Sequence, residues 1–181
     1  MDGIMKAWEH LKTINHHRRL VRKGCFAVGL YWQGLTHDLS KYSWVEFSVG
    51  AKYFQGDKSP NNAERAATGV SMAWLHHKGR NKHHFEYWID YGLDEHHGMT
   101  GMEMPVRYVV EMYCDRVAAC KTYQKEKYTD ASALKYFEHG KAKYMMNENT
   151  KKLLEDMLTH LAEHGEEATN DYIRREILKN K

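Results

Sequence analysis

The stretch Pro105-Val106-Arg107-Tyr108-Val109-Val110-Glu111-Met112-Tyr113-Cys114-Asp115-Arg116-Val117-Ala118-Ala119-Cys120-Lys121-Thr122-Tyr123 decides the fold class. Proline is suited to the first turn of a helix, where its missing N–H is no loss, and it opens a strong helix over 105–123. Asp115 shares a face of that helix with Tyr108, Met112, Ala118 and Ala119. A carboxylate among small and apolar neighbours is costly to bury unless it is paired or coordinates a metal. Either a salt bridge to Arg107 or Arg116, or a metal, would meet that requirement.

Outward from this helix the chain reads the same way. Pro60 and Pro105 are its two prolines, so long helices are permitted almost everywhere. Residues 3–22 carry an apolar face at Ile4, Ala7, Leu11, Ile14 and Val21, which is helical spacing; His10 and His17 stand at its edge and His16 on the opposite side. Residues 25–34, with Phe26, Val28, Leu30, Tyr31 and Trp32, predict a second helix buried nearly all round. Ser43 and Glu46 form a capping box before a short helix with Trp44, Phe47 and Tyr53. Residues 55–62 read as a loop, and Pro60 starts a helix that runs to about His77 and stops at Gly79. A helical piece follows through Phe85, Tyr87, Trp88 and Ile89, and 92–103 reads as an irregular loop. Further helices are expected from about Asp130, Asn149 and Thr169. There is no alternating strand, internal repeat or linker. The expectation is all-α: a single compact helical domain over 1–181, with C-terminal helices over about 130–180 that complete the core or form a homodimer interface.

Composition narrows the functional classes. The formal charge of +3 does not indicate a nucleic-acid binder, yet it suits a modest anionic ligand. Cys25, Cys114 and Cys120 are an odd set without CxxC spacing, as expected of reduced thiols in a cytoplasmic protein. No apolar run approaches the roughly 20 residues of a membrane span. Trp32, Trp44, Trp74 and Trp88 read mostly as core, and Arg18, Arg19, Arg22 and Lys23 as a solvated helix face.

Thirteen histidines stand out, six of them between His76 and His97. The segment Thr36-His37-Asp38-Leu39-Ser40-Lys41 follows a buried helix. At a helix terminus an adjacent His and Asp can turn toward one ion, offering a neutral nitrogen and an anionic oxygen suited to Zn, Mn, Fe or Co. Lys41, one turn on, places an ammonium where it could reach a phosphate. With His17 before the doublet and Asp115 after it, the order is H…HD…D. The two histidine pairs, His76-His77 and His83-His84, flank a glycine turn. In each pair one member is expected to ligate, His77 and His84 first, with His76 and His83 as the alternatives. The same segment could instead be a basic phosphate-binding loop through Lys78, Arg80 and Lys82. His96 and His97 read as solvent-facing or lid residues.

These elements resemble the HD-domain superfamily of metal-dependent phosphohydrolases, whose HDxxK doublet matches His37-Asp38-Leu39-Ser40-Lys41. The Cys114-Asp115-Arg116-Val117-Ala118-Ala119 stretch looks like their late metal-binding helix. The resemblance covers about 10–120, implies an HD-like core over 4–125, and departs from the family in the short interval between His17 and His37. Binuclear members, including the HD-GYP type, place further histidines between doublet and final aspartate. The resemblance therefore implies one or two divalent transition-metal ions, with Asp38 bridging if there are two. The whole chain is also similar to an uncharacterised bacterial and phage family sometimes labelled catalase, although no residue here specifies a haem.

The implied activity is hydrolysis of a small phosphorylated substrate, a nucleotide, cyclic nucleotide or related phosphoester. Lys41 and Arg80 would neutralise phosphate charge, and His83 or Glu86 would protonate the leaving group. The alternatives are an HD-like di-iron oxygenase and a non-enzymatic helical module that binds a nucleotide or protein around a structural metal.

Overall fold

Two glycines near the end of the first helix decide how the N-terminal half is divided. The computed structural model describes residues 2–93 and 98–179, so His96 and His97 lie outside the described residues. Helix α1 spans Gly3–Ala27 and passes the expected end near residue 22. Gly24 does not break it, because it is a crossing point: a Cβ there would meet Cys114 Sγ at 3.4 Å. The stop is Gly29, at φ +87°. Its N–H donates to Phe26 O at 3.1 Å and the Leu30 N–H donates to Cys25 O at 2.8 Å, the paired bonds of a Schellman ending. The expected second helix is thereby reduced to α2, Tyr31–Thr36. Nor is it buried all round, for Gly34 is its one buried residue and Trp32 is 72% exposed.

The buried residues of α1 are His10, Ile14, His17, Val21 and Cys25, at the three- and four-residue spacing of a core-facing stripe. His17 therefore stands within the buried stripe, not at its edge. After a 3-10 turn, Leu39–Tyr42, helix α3 spans Trp44–Lys52. The Ser43 hydroxyl accepts the Glu46 N–H at 3.5 Å, but the Glu46 carboxylate is bound to imidazoles of a later helix. Gly50 of α3 faces His10 of α1, and a Cβ at Gly50 would lie 2.1 Å from its Nε2.

The helix expected from Pro60 to His77 is two: α4, Pro60–Thr68, and α5, Met72–Lys78. Gly69 ends the first at φ +80°, and the Ser71 hydroxyl caps the second by accepting the Trp74 N–H at 3.0 Å. This break lays α5 on α3. A further 3-10 turn, Phe85–Trp88, leads to strands β1, Ile89–Tyr91, and β2, Met99–Gly101. They pair antiparallel with Asp90 opposite Thr100. The expectation of no strand is corrected here: three residues are too few to display a two-residue period.

Helix α6, Val106–Gln124, is the centre of the molecule. Its Val109, Val110 and Val117 share one apolar cluster with Val21 and Cys25 of α1 and with Phe137 of α7, Ser132–Gly140. Leu154, Met157, Leu158 and Leu161 of α8, Glu148–Tyr172, join the same cluster. Each such fully buried side chain contributes roughly 1.5–3 kcal/mol of transfer free energy. The helix expected from Thr169 is the continuation of α8 beyond a kink at Gly165, φ +80°. Apart from the short hairpin the architecture is all-α. Trp44 is 80% exposed, so it and Trp32 are not core; Trp88 packs against the central cluster. Among the described residues no helix is long and apolar enough to cross a membrane.

Candidate metal centre

The His37-Asp38 doublet occupies a break in the backbone. His37 ends α2 with extended ψ (126°), and Asp38 follows in the left-handed region at φ +53°. On a continuous helix neighbouring side chains point about 100° apart; the break turns both inward, where Asp38 is only 1% exposed. Aspartate is among the few residues that visit this region, at a cost on the order of 1–3 kcal/mol.

Arg18, one residue beyond His17 on α1, clamps the turn. Its Nε donates to His37 O at 2.8 Å, Nη2 to Leu35 O at 3.2 Å and Nη1 to Tyr42 Oη at 2.9 Å. Tyr42 in turn donates to Asn15 Oδ1 at 2.5 Å. Arg19, Arg22 and Lys23 are exposed, but Arg18 is not part of a solvated face. Removing it leaves carbonyls at the end of α2 without their charged donor. We expect Arg18→Ala to cost about 1–3 kcal/mol and lower the melting temperature of the metal-free protein by about 2–12 °C. Arg18→Lys should recover little, since one ammonium cannot reproduce a three-way planar fork. A calorimetric scan of the two variants that matched wild type would show the clamp to be idle.

Around the doublet, side chains from four parts of the chain converge. The donor atoms of His17, His37, Asp38 and Asp115 lie within 4.8 Å of one another, as do those of Asp38, His77, His83 and His84. Asp38 belongs to both groups. Its Oδ1 is 3.3 Å from His77 Nε2 and 3.4 Å from His83 Nε2, and its Oδ2 is 3.3 Å from His37 Nε2. Asp115 Oδ1 lies 2.9 Å from His17 Nε2 and 3.6 Å from His37 Nε2. His84 Nε2 faces His77 Nε2 at 2.9 Å.

Several of these approaches are not hydrogen bonds. His17 Nε2, His37 Nε2, His83 Nε2 and both Asp38 oxygens are buried without an aligned partner. Buried polar atoms are nearly always satisfied; five without an aligned hydrogen bond face one another here, Asp38 Oδ2 having only the Lys41 ammonium at 2.8 Å, and such a set could hold cations. The donor chemistry agrees: two nitrogens and two carboxylates in one group, three nitrogens and one carboxylate in the other, a mixture suited to Zn, Mn, Fe or Co. Asp38, Glu46, Glu111 and Asp115 carry four formal negative charges into this region, against the single ammonium of Lys41, an excess that favours cations.

Proton affinities follow the same geometry. Burial would raise the Asp38 carboxyl, but His37, Lys41 and His77 hold it well below the usual carboxylate range. Asp115 is likewise held low, against burial, by His17 and His37. Burial lowers His17 despite Asp115, and burial together with His83 and His77 lowers His84 strongly. His37 goes the other way, because Asp38, Asp115 and Glu111 outweigh its burial. Metal ligation requires neutral imidazoles, so an ion would displace the His37 proton.

Two glutamates that the sequence reading missed hold the imidazoles from behind. Glu111 Oε1 is 3.0 Å from His37 Nδ1 and 3.2 Å from His83 Nδ1. Glu46 accepts His77 Nδ1 at 2.8 Å and His76 Nδ1 at 2.6 Å. For His37, His77 and His83 this bond fixes the ring so that Nε2 faces Asp38. His37, His83 and Glu111 also lie close enough to hold an ion, but one there would use the nitrogens that orient the rings. Glu111 stands four residues before Asp115 on α6, and that spacing was the available signal. Glu46 carries a Ser-x-x-Glu pattern that ordinarily signifies a capping residue, and that pattern conceals its contact with the imidazoles.

The remaining expected residues separate. His76 is bound to Glu46 behind the centre, and His83 takes a place among the donors that was expected to be an alternative. Since both its ring nitrogens face carboxylates, His83 is not disposed to act as a leaving-group acid. Arg80 is exposed with Nη1 on His76 O at 3.3 Å, and Lys82 lies over the rings of Tyr87 and Tyr108; neither is brought to the cluster. Lys41 is brought to it, with Nζ 2.8 Å from Asp38 Oδ2 and a side chain still 30% exposed. Asp115 faces imidazoles, not Arg107 or Arg116.

Helices built around an inward-turned His-Asp doublet, with two four-residue donor groups sharing one aspartate, define an all-α protein with a candidate two-ion centre. The chain belongs to the family of unknown function DUF5662, whose family model matches residues 6–160, a span containing every donor named above. No curated protein and no solved structure matches it significantly.

Proposed function

We propose that this protein is a metal-dependent phosphohydrolase of the HD type, acting in the cytoplasm on a nucleotide or related phosphoester. The observation that carries the reading is Asp38, whose two oxygens face separate donor groups while Lys41 stands beside one of them at the protein surface. His17, His37, Asp38 and Asp115 would hold one ion, and Asp38, His77, His83 and His84 the other. When bound, such ions acidify water and polarise a phosphoryl oxygen.

The chain's own side chains supply the rest. Burial alone would lower the Lys41 pKa, but Asp38 and Asp115 raise it, so the ammonium stays charged and can meet a phosphoryl oxygen. Burial raises the Glu86 carboxyl, against the pull of Arg116, Lys78 and His77. A carboxyl that keeps its proton longer than usual is suited to protonating a leaving group, so Glu86 is the candidate for that role in place of His83. The buried free thiols Cys25, Cys114 and Cys120 accord with a reducing compartment.

The test is turnover of a panel of nucleotides, cyclic nucleotides and simple phosphomonoesters by protein loaded with Mn, Fe, Zn or Co. We expect metal-dependent phosphoester cleavage, followed by product chromatography, that falls at least about 100-fold in Lys41→Ala, an oxyanion-stabilising loss of the usual size. Oxygen-dependent turnover by iron-loaded protein, with no phosphoester cleaved, would replace this reading with the oxygenase. Binding without turnover would leave a helical module around a structural metal.

A further inference from the structure

Glu111 and Glu46 are buried carboxylates outside both donor groups, yet their connections differ. Glu46 meets His77, a donor of one group, and His76, a donor of neither. Glu111 meets His37, a donor of the group containing Asp115, and His83, a donor of the group containing His84. Both contacts of Glu111 use the same oxygen, Oε1. The His37 and His83 rings are 4.4 Å apart between centroids, so Glu111 and Asp38 grip the pair from opposite edges.

We infer that Glu111 is a positioning residue common to both ion sites, whereas Glu46 serves the His77 site alone. The inference rests on the two-ion reading above. A carboxylate behind an imidazole fixes its tautomer and raises its basicity as a ligand. One carboxylate behind two imidazoles applies both effects to both sites at once. Loss of the Oε1 acceptor frees His37 and His83 to rotate or to present the wrong nitrogen, and neither site then keeps its donor set. Loss of Glu46 touches only His77 among the ligands, leaving the Ser40 hydroxyl, 3.2 Å from its Nδ1, as a weaker uncharged partner. The Arg18 clamp still fixes the His37 backbone, so the site of His17, His37, Asp38 and Asp115 should survive without Glu46.

The experiment is cobalt titration followed by visible absorption, whose ligand-field bands report donor number and geometry. It is done on wild type and on two backgrounds, His84→Ala and His17→Ala, which disable one site each. Glu111→Leu should weaken cobalt binding about 10–100-fold in both backgrounds. Glu46→Leu should do so only in the His17→Ala background, where the His77 site remains. Glu111→Gln, which keeps an acceptor oxygen without the charge, should recover part of the affinity and the wild-type band shape. If Glu111 only filled space, Glu111→Gln would bind cobalt as wild type does, whereas a lost charge leaves the recovery partial; Gln is also close enough in shape to test the idea if Leu fails to fold. Weakening in one background alone, or Glu111→Leu and Glu111→Gln binding like wild type, overturns the inference. Wild-type protein that takes up no metal overturns the two-ion reading itself, a distinct result.

Discussion

Asp38→Asn should abolish metal uptake at both sites while leaving the helical fold in place. Asp38 is the one residue common to the two groups, and neither is left with more than three of its four donors without it. Asparagine is the informative replacement, since it is nearly isosteric and tolerates the left-handed backbone at φ +53°. Alanine would add strain to the loss of the ligand. The neutral amide also removes the charge that draws His37, Lys41 and His77 together. Substitutions behind a ligand cost about 10–100-fold in metal affinity, so replacing a shared ligand should cost more at each site. Elemental analysis of protein purified without a histidine tag gives the answer. Wild type should carry one or two equivalents of transition metal, and Asp38→Asn less than about a tenth of that. Equal content in the two proteins would remove Asp38 from the centre, and no metal in either after reloading with Mn, Fe and Zn would remove the centre altogether.

The all-α class was legible because α6 and α8 carry their periodicity over long runs, with the core residues Val109, Val110, Leu154 and Leu158 to show for it. The divisions between helices were less so. Gly24 and Gly29 are five residues apart and look alike in sequence, yet one lets α1 approach α6 and the other ends α1. Only the contact with Cys114 separates those roles. Gly69 and Ser71 together do announce a stop and a start, and the apolar residues around them obscured it. At the centre, the order of His17, His37, Asp38 and Asp115 could be read because ligand chemistry restricts residue type. The choice within each histidine pair could not, since it depends on the turn after α5: that turn brings both His83 and His84 to Asp38 and His77. Glu46, Glu111 and Arg18 remained hidden for a different reason. Each has an ordinary role at its position, as cap, helix acid or surface base, and only the fold shows what its side chain meets.

Stripping the metal should lower the melting temperature by about 10–20 °C at neutral pH, and by progressively less as the pH falls toward 6. A ligand that binds only the folded state at 100 times its dissociation constant adds about 2.7 kcal/mol, so two ions add about 5. For a chain of 181 residues each kcal/mol moves the transition by about 2–4 °C. The pH dependence arises at His37. In the metal-free protein its pKa lies well above the ordinary 6.5, because Asp38, Asp115 and Glu111 overcome its burial. The stability this proton contributes is therefore fully present below about pH 6.5 and is lost as the pH rises through the folded-state value. A metal ion must displace that proton, so it competes poorly at low pH and gains as the proton becomes easier to remove. Asp38 and Asp115 do not disturb this window. Their pKa values are depressed below 3.8, so their contribution is present above that value and lost only in stronger acid. Thermal scans of chelator-treated and reloaded protein between pH 6 and 8.5 should show the gap widening with pH, and Asp38→Asn should show none. A gap that widened as the pH fell would mean that the stabilising ion is not held by His37.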